Sequence, residues 1–148
     1  MMLRSNFPFQ RVFIVGAGSM FEEGILCLLT FDSDLQVSGS GYNDDASFLS
    51  DITQLQPDVI LLNESTPLNP ARLLELLSSI PKNAGRRVII VRLNNNIIDV
   101  YDFPYRALLR KLHKRWQFII TKREDLIDII HGDFTKQVEL QISNQSPI

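Results

Sequence analysis

One cysteine, Cys27, stands in 148 residues, so no disulfide can form within the chain. Its neighbours, ILCLLTF, are apolar, and the expectation is a buried small hydrophobe rather than a reactive thiol. Histidine is as scarce. The two in the chain stand far apart and make no metal cluster by spacing, so no metal and no cofactor is expected. No cationic start leads into a long apolar run, and no stretch reaches the length of a membrane-spanning helix, which gives a cytoplasmic protein as the expectation. Charge of one sign is missing too. A net charge of −2 excludes a global attraction to nucleic acid or acidic lipid.

What is present is an ordinary globular balance, 45% hydrophobic and 22% charged, in a length that suits one domain with a real core. Residues 1–10 read as an arm, 11–132 as the domain, and 133–148 as a polar tail. Within the tail Val138, Leu140 and Ile142 alternate with polar residues. That pattern fits a frayed end or an edge strand added to this sheet or to a second subunit.

Apolar runs and helical periods alternate along the domain. Arg11 to Val15 is a short β-branched run ending at Gly16, the pattern of a strand buried on both faces. Met20, Phe21, Ile25, Leu28 and Leu29 then recur at helical spacing. Leu35 to Ser40 forms a second strand, and Asn43 or Asp44 caps a helix whose buried stripe is Phe48, Leu49, Ile52 and Leu55. Asp58 to Leu62 is a third strand that delivers Asn63 to its carboxyl end. Asn69 and Pro70 open a helix carrying Leu73, Leu74, Leu76, Leu77 and Ile80. Val88 to Leu93 is a fourth strand. Such alternation predicts a parallel sheet covered by helices on both faces.

The regularity breaks at Asn94, Asn95 and Asn96, a turn signal followed by the strand-favouring IIDVYDF. The expectation is a β-hairpin excursion around 88–103 where a fourth helix would normally follow. Ala107 to Lys114 reads as a short helix, and Trp116 to Thr121 as the fifth parallel strand. Thr121 and Glu124 have capping-box spacing ahead of a helix that stops at Gly132.

Two glycines, Gly16 and Gly18, start a dinucleotide fingerprint, but the third position is Phe21, whose bulk obstructs close helix-to-strand packing. With Ser19 the turn remains a candidate cradle for a small anion or nucleotide.

Read without gaps, RVFIVGAGSMFEEGILCLL resembles the opening of the receiver domains of two-component response regulators, and PDVILLNESTP resembles the strand and loop that bear their phosphorylated aspartate. The resemblance implies a flavodoxin-like α/β fold, a five-stranded parallel sheet of order 2-1-3-4-5. It implies an acidic pair that holds Mg²⁺, a phosphoacceptor aspartate, a hydroxyl residue and a lysine. By position these fall on Gly16 and Ala17, on Asn63, on Arg92 and on Lys122, of which only Lys122 agrees. A site without carboxylates offers Mg²⁺ no hard ligands, and an amide has neither charge nor nucleophilicity for phosphoryl transfer.

The expectation is a pseudo-receiver that is not an enzyme and works as a protein interaction module in two-component-type signalling or transcriptional control. Its partner surface would be the later half, at Tyr101, Phe103, Tyr105, Arg106 and Arg110. The hairpin and the alternation at 138–142 point to a homodimer. Arg92, polar in an apolar strand, should reach the sheet margin or meet a carboxylate such as Asp99. Lys122 should pair with Glu64, face water, or help hold a small anion.

Overall fold

The computed structural model describes residues 10–16, 20–63, 68, 70–79, 86–92, 96–103, 114–132 and 138–140. Seven strands form one sheet. They are β1 (Gln10–Gly16), β2 (Leu35–Gly41), β3 (Val59–Asn63), β4 (Arg86–Val91), β5 (Ile97–Phe103), β6 (Lys114–Ile119) and β7 (Val138–Leu140). Four helices accompany them among the described residues: α1 (Met20–Thr30), α2 (Asp45–Leu55), α3 (Pro70–Ser78) and α4 (Arg123–His131).

The sheet order is β2-β1-β3-β4-β5-β6-β7. The first four strands pair in parallel, in the order 2-1-3-4 that alternating strands and helices predict. β1, β3 and β4 are buried on both faces, and alternate side chains feed two separate cores. Phe13, Val15, Ile60, Leu62, Val88 and Ile90 pack with Phe48 and Ile52 of α2 and Leu73, Leu76 and Leu77 of α3. Val12, Ile14, Val59, Leu61, Ile89 and Val91 pack with Leu29 of α1 and Leu126, Ile129 and Ile130 of α4. Helices on both faces of a largely parallel sheet make a three-layer, flavodoxin-like α/β architecture.

The second half departs from the expected five-stranded parallel sheet. β5 runs antiparallel to β4, from Arg86 opposite Phe103 to Val91 opposite Ile98, and β6 runs antiparallel to β5. The expected hairpin around 88–103 is present as β4 and β5. Its second strand is inserted into the sheet and separates β4 from the strand that would otherwise lie beside it. Ile98 and Val100 fill the α1/α4 core while Tyr101 fills the other, so the segment satisfies both faces only inside the sheet. Arg87 locks the register. It donates two hydrogen bonds of 2.6 Å to the Asp102 carboxylate directly opposite and a third, of 2.8 Å, to the Ile129 carbonyl in the last turn of α4. β7 pairs antiparallel with β6 and is the last described strand on that side.

Local signals set the helix ends. Asp44 caps α2, its carboxylate accepting the Ser47 amide at 2.8 Å. α4 begins one residue later than the Thr121–Glu124 spacing predicts, because Asp125 is the acidic residue that turns back. Its Oδ2 accepts the amides of Thr121 and Lys122 and the Thr121 hydroxyl at 2.8, 3.2 and 3.1 Å. Gly132 ends α4 at φ 89°, with its amide on the Asp128 and Ile129 carbonyls. Two hydrophobic expectations fail. Cys27 is exposed, one position off the inward stripe of Ile25, Leu26 and Leu29, and Leu55, the last residue of α2, is 39% exposed. The expected helix at Ala107 to Lys114 lies outside the described residues except for Lys114, which opens β6.

Candidate functional site

Three of the five positions singled out by the resemblance meet at the carboxyl ends of β1, β3 and β4. Gly16 is the last residue of β1, and its carbonyl accepts the Tyr42 amide at 3.0 Å. Asn63 ends β3, is 2% exposed, and stands opposite Val91. Arg92 follows Val91 directly. Ala17, Gly18 and Ser19, and with them the candidate anion cradle, lie outside the described residues, as does Glu64.

Strand alternation then separates Asn63 from Arg92. Asn63 shares its face with Val59 and Leu61, whereas Arg92 belongs with Val88 and Ile90 on the other. On that face Arg92 pairs with Asp99 of β5, as the sequence suggested. The Asp99 side chain is 3% exposed and also accepts the Gln117 amide of β6 at 2.7 Å. One buried carboxylate thus ties β4, β5 and β6 together across the sheet. Arg92, which the resemblance set at the hydroxyl position, is engaged in holding the inserted strand.

Lys122 is exposed and sits at the N-cap of α4, just after β6. In a 2-1-3-4-5 sheet its strand would lie beside β4, about 10 Å from β3 at 4.8 Å per strand; with β5 between, the separation grows to about 14 Å. The one position that agrees with the resemblance is therefore carried one strand farther from Asn63. Asp125, three residues on, has its carboxyl held below the usual range, first by the Thr121 amide and further by the Lys122 amide and Thr121 hydroxyl. That carboxylate serves the helix start, not a metal.

Of the expected partner surface, Tyr101 is a correction: it is 5% exposed and lies in the α2/α3 core, because β5 is interior to the sheet. Phe103 has its backbone opposite Arg86. Tyr105, Arg106 and Arg110 lie outside the described residues. The hairpin is flanked on both sides, by β3 and β6, and offers no edge; among the described strands β7 is the last on that side.

The opposite end of the sheet holds an open pocket of about 390 Å³ lined by Asp58, Arg86, Arg87, Asp102, His131 and Gly132, among others. Arg86 is 4% exposed and donates to the Pro57 carbonyl at 3.2 Å; burial lowers its pKa, opposed by Asp58. Sequence spacing gave no sign of this pocket, since its lining comes from five separate segments.

No family model and no curated protein matches this chain. Among solved structures it is similar to the response regulator domain of Thermotoga maritima CheB, at 24% identity and a TM-score of 0.45, over 57% of this chain and 60% of that one. It is similar to the signal receiver domain of the putative response regulator NarL from Mycobacterium tuberculosis, at 24% identity and a TM-score of 0.44, over 57% and 67%. The Salmonella typhimurium response regulator RcsB gives 18%, 0.46, 60% and 45%. The chain thus spans 60% of the first of these. Among the described residues no helix is long and apolar enough to cross a membrane.

Proposed function

We propose that the chain is a non-phosphorylatable pseudo-receiver, a protein interaction module of two-component-type signalling or transcriptional control. The observation that carries this reading is Asn63, a buried amide at the carboxyl end of the third parallel strand, with Gly16, which has no side-chain oxygen, at the end of the neighbouring strand. A phosphoacceptor needs an anionic oxygen in line with the phosphorus and a carboxylate-bound Mg²⁺ to neutralise the transferred charge. Neither Gly16 nor Asn63 supplies one, and β5 widens the distance to Lys122. The chain is accordingly read as no enzyme and as cytoplasmic, with protein partners and no resident cofactor.

Retention of the fold without its chemistry favours a role in contact. β5, β6 and β7 extend the sheet by three strands beyond β4, and the outer backbone edge of β7 is where a partner strand, including that of a second copy, would pair. The test is incubation with Mg²⁺ and acetyl phosphate, followed by intact-mass spectrometry, and with Mg²⁺ and beryllofluoride, followed by fluorine NMR. The expected result is an unmodified mass and no bound fluoride species. A stoichiometric adduct at Asn63 would overturn the reading.

A further inference from the structure

Folding assembles a ligand set that sequence spacing denies. Asp32 and Asp34 lie in the turn between α1 and β2, and His131 is the last residue of α4. One ligand atom from each lies within 4.8 Å of the other two, and all three residues are half-buried. The cluster stands where the Gln10 amide donates to the Asp34 carbonyl at 3.0 Å and β2 begins. That is the amino-terminal end of the strands, opposite Gly16 and Asn63, so the site is independent of the degenerate pocket.

Three features make the cluster more than an ion pair. His131 Nε2 and Asp32 Oδ2 are 3.6 Å apart, too far for a hydrogen bond. Two ligands held about 2.1 Å from a tetrahedral ion have their donor atoms about 3.4 Å apart, so the spacing suits two corners of one coordination shell. The other oxygen of Asp32, Oδ1, accepts the Asp34 amide at 2.8 Å, which orients the carboxylate and leaves Oδ2 towards the imidazole. Finally, α1 ends at Thr30 and α4 at His131, so two helix C-termini, each with partial negative charge, converge beside the cluster.

We propose that Asp32, Asp34 and His131 bind a divalent first-row transition ion of the Zn²⁺ class, with water in the remaining positions. Two carboxylates and an imidazole suit such ions, whereas Mg²⁺ and Ca²⁺ prefer shells of oxygen alone. Bound there, the ion joins the α1–β2 turn to the last turn of α4 and stiffens the base of the sheet.

The full chain, stripped of metal, is titrated with Zn²⁺ by calorimetry and with Co²⁺ by visible absorption. The expected result is one equivalent of either ion and a rise in Tm with Zn²⁺. His131→Gln and Asp34→Asn should each weaken binding by roughly tenfold or more while keeping the wild-type circular dichroism spectrum; His113→Gln should bind as the wild type does. Absence of saturable binding overturns the proposal. So does affinity unchanged in both variants, equal loss in His113→Gln, or Mg²⁺ binding as tightly as Zn²⁺. Phosphorylation at Asn63 would leave this outcome untouched, so the two readings fail separately.

Discussion

Removing the Arg92 guanidinium should expose how strongly the inserted strand depends on one buried carboxylate. In Arg92→Ala, Asp99, whose side chain is 3% exposed in the wild type, keeps its hydrogen bond from Gln117 but loses the ion pair with Arg92. Breaking a fully buried pair costs about 3–5 kcal/mol, because the surviving charge is left without compensation. Arg92 is itself 31% exposed, so water screens the pair and can partly replace the guanidinium. The retained Gln117 bond reduces the loss further, and the net is about 2–3 kcal/mol. For a chain of this length that corresponds to a fall of roughly 4–12 °C in Tm. Guanidinium denaturation followed by circular dichroism measures it directly. The double substitution Arg92→Met with Asp99→Leu removes both charges and should recover much of the loss, since no buried charge is then left uncompensated and the half-buried Gln117 amide alone gives up its acceptor. A cost under about 0.5 kcal/mol for Arg92→Ala, or a double variant as unstable as the single, would refute the assignment of Asp99 as the tie between β4, β5 and β6.

Arg87→Lys keeps the charge but loses the fork that grips Asp102 and the bond to Ile129, so it should cost about 1–2 kcal/mol by chemical denaturation; an unchanged midpoint would deny its role in the β4–β5 register. Asn63→Asp should destabilise by about 2 kcal/mol or more near neutral pH, because a carboxylate is forced into a buried position without a metal, and it should still take no phosphoryl group from acetyl phosphate with Mg²⁺. The depressed carboxyl of Asp125 contributes stability that is fully present above the ordinary carboxylate value and is lost as pH falls through its lower folded value. The stability gap between wild type and Asp125→Asn should therefore be constant from neutral pH down to about pH 4 and close at lower pH, as acid-denaturation midpoints would reveal. A gap that widens on acidification would reverse the assigned sign.

Much of the fold was legible because each local signal had one local solution. The β-branched runs expected as strands correspond to β1 (Gln10–Gly16), β3 (Val59–Asn63) and β4 (Arg86–Val91), buried on both faces, and Asp44 and Gly132 bound helices as their chemistry requires. Even the Arg92–Asp99 pair could be anticipated, since a charge in an apolar strand must find a counter-charge. The helix start at Lys122 was misjudged by one residue because Thr121, Glu124 and Asp125 offer two capping solutions, and only geometry chooses between them. Cys27 is exposed against expectation because an apolar neighbourhood in sequence does not say which residue falls off the inward stripe.

The candidate site divides along the same line. Its lack of carboxylates at Gly16 and Asn63 could be read from residue types alone, since no packing gives either residue one. Where Lys122 would stand could not be read, because a turn at Asn94 to Asn96 followed by a strand is equally compatible with a projecting hairpin and with a strand inserted into the sheet. Tertiary packing decided between them. Ile98 and Val100 need one core and Tyr101 the other, and the two demands are met together only between β4 and β6. The same long-range closure brought His131 to Asp32 and Asp34, residues nearly the length of the domain apart. Composition and periodicity act through neighbours a few positions away, so they determined the elements and the residue types at the candidate site; which elements touch depends on burying both faces of every strand at once, and that only the folded sheet decided.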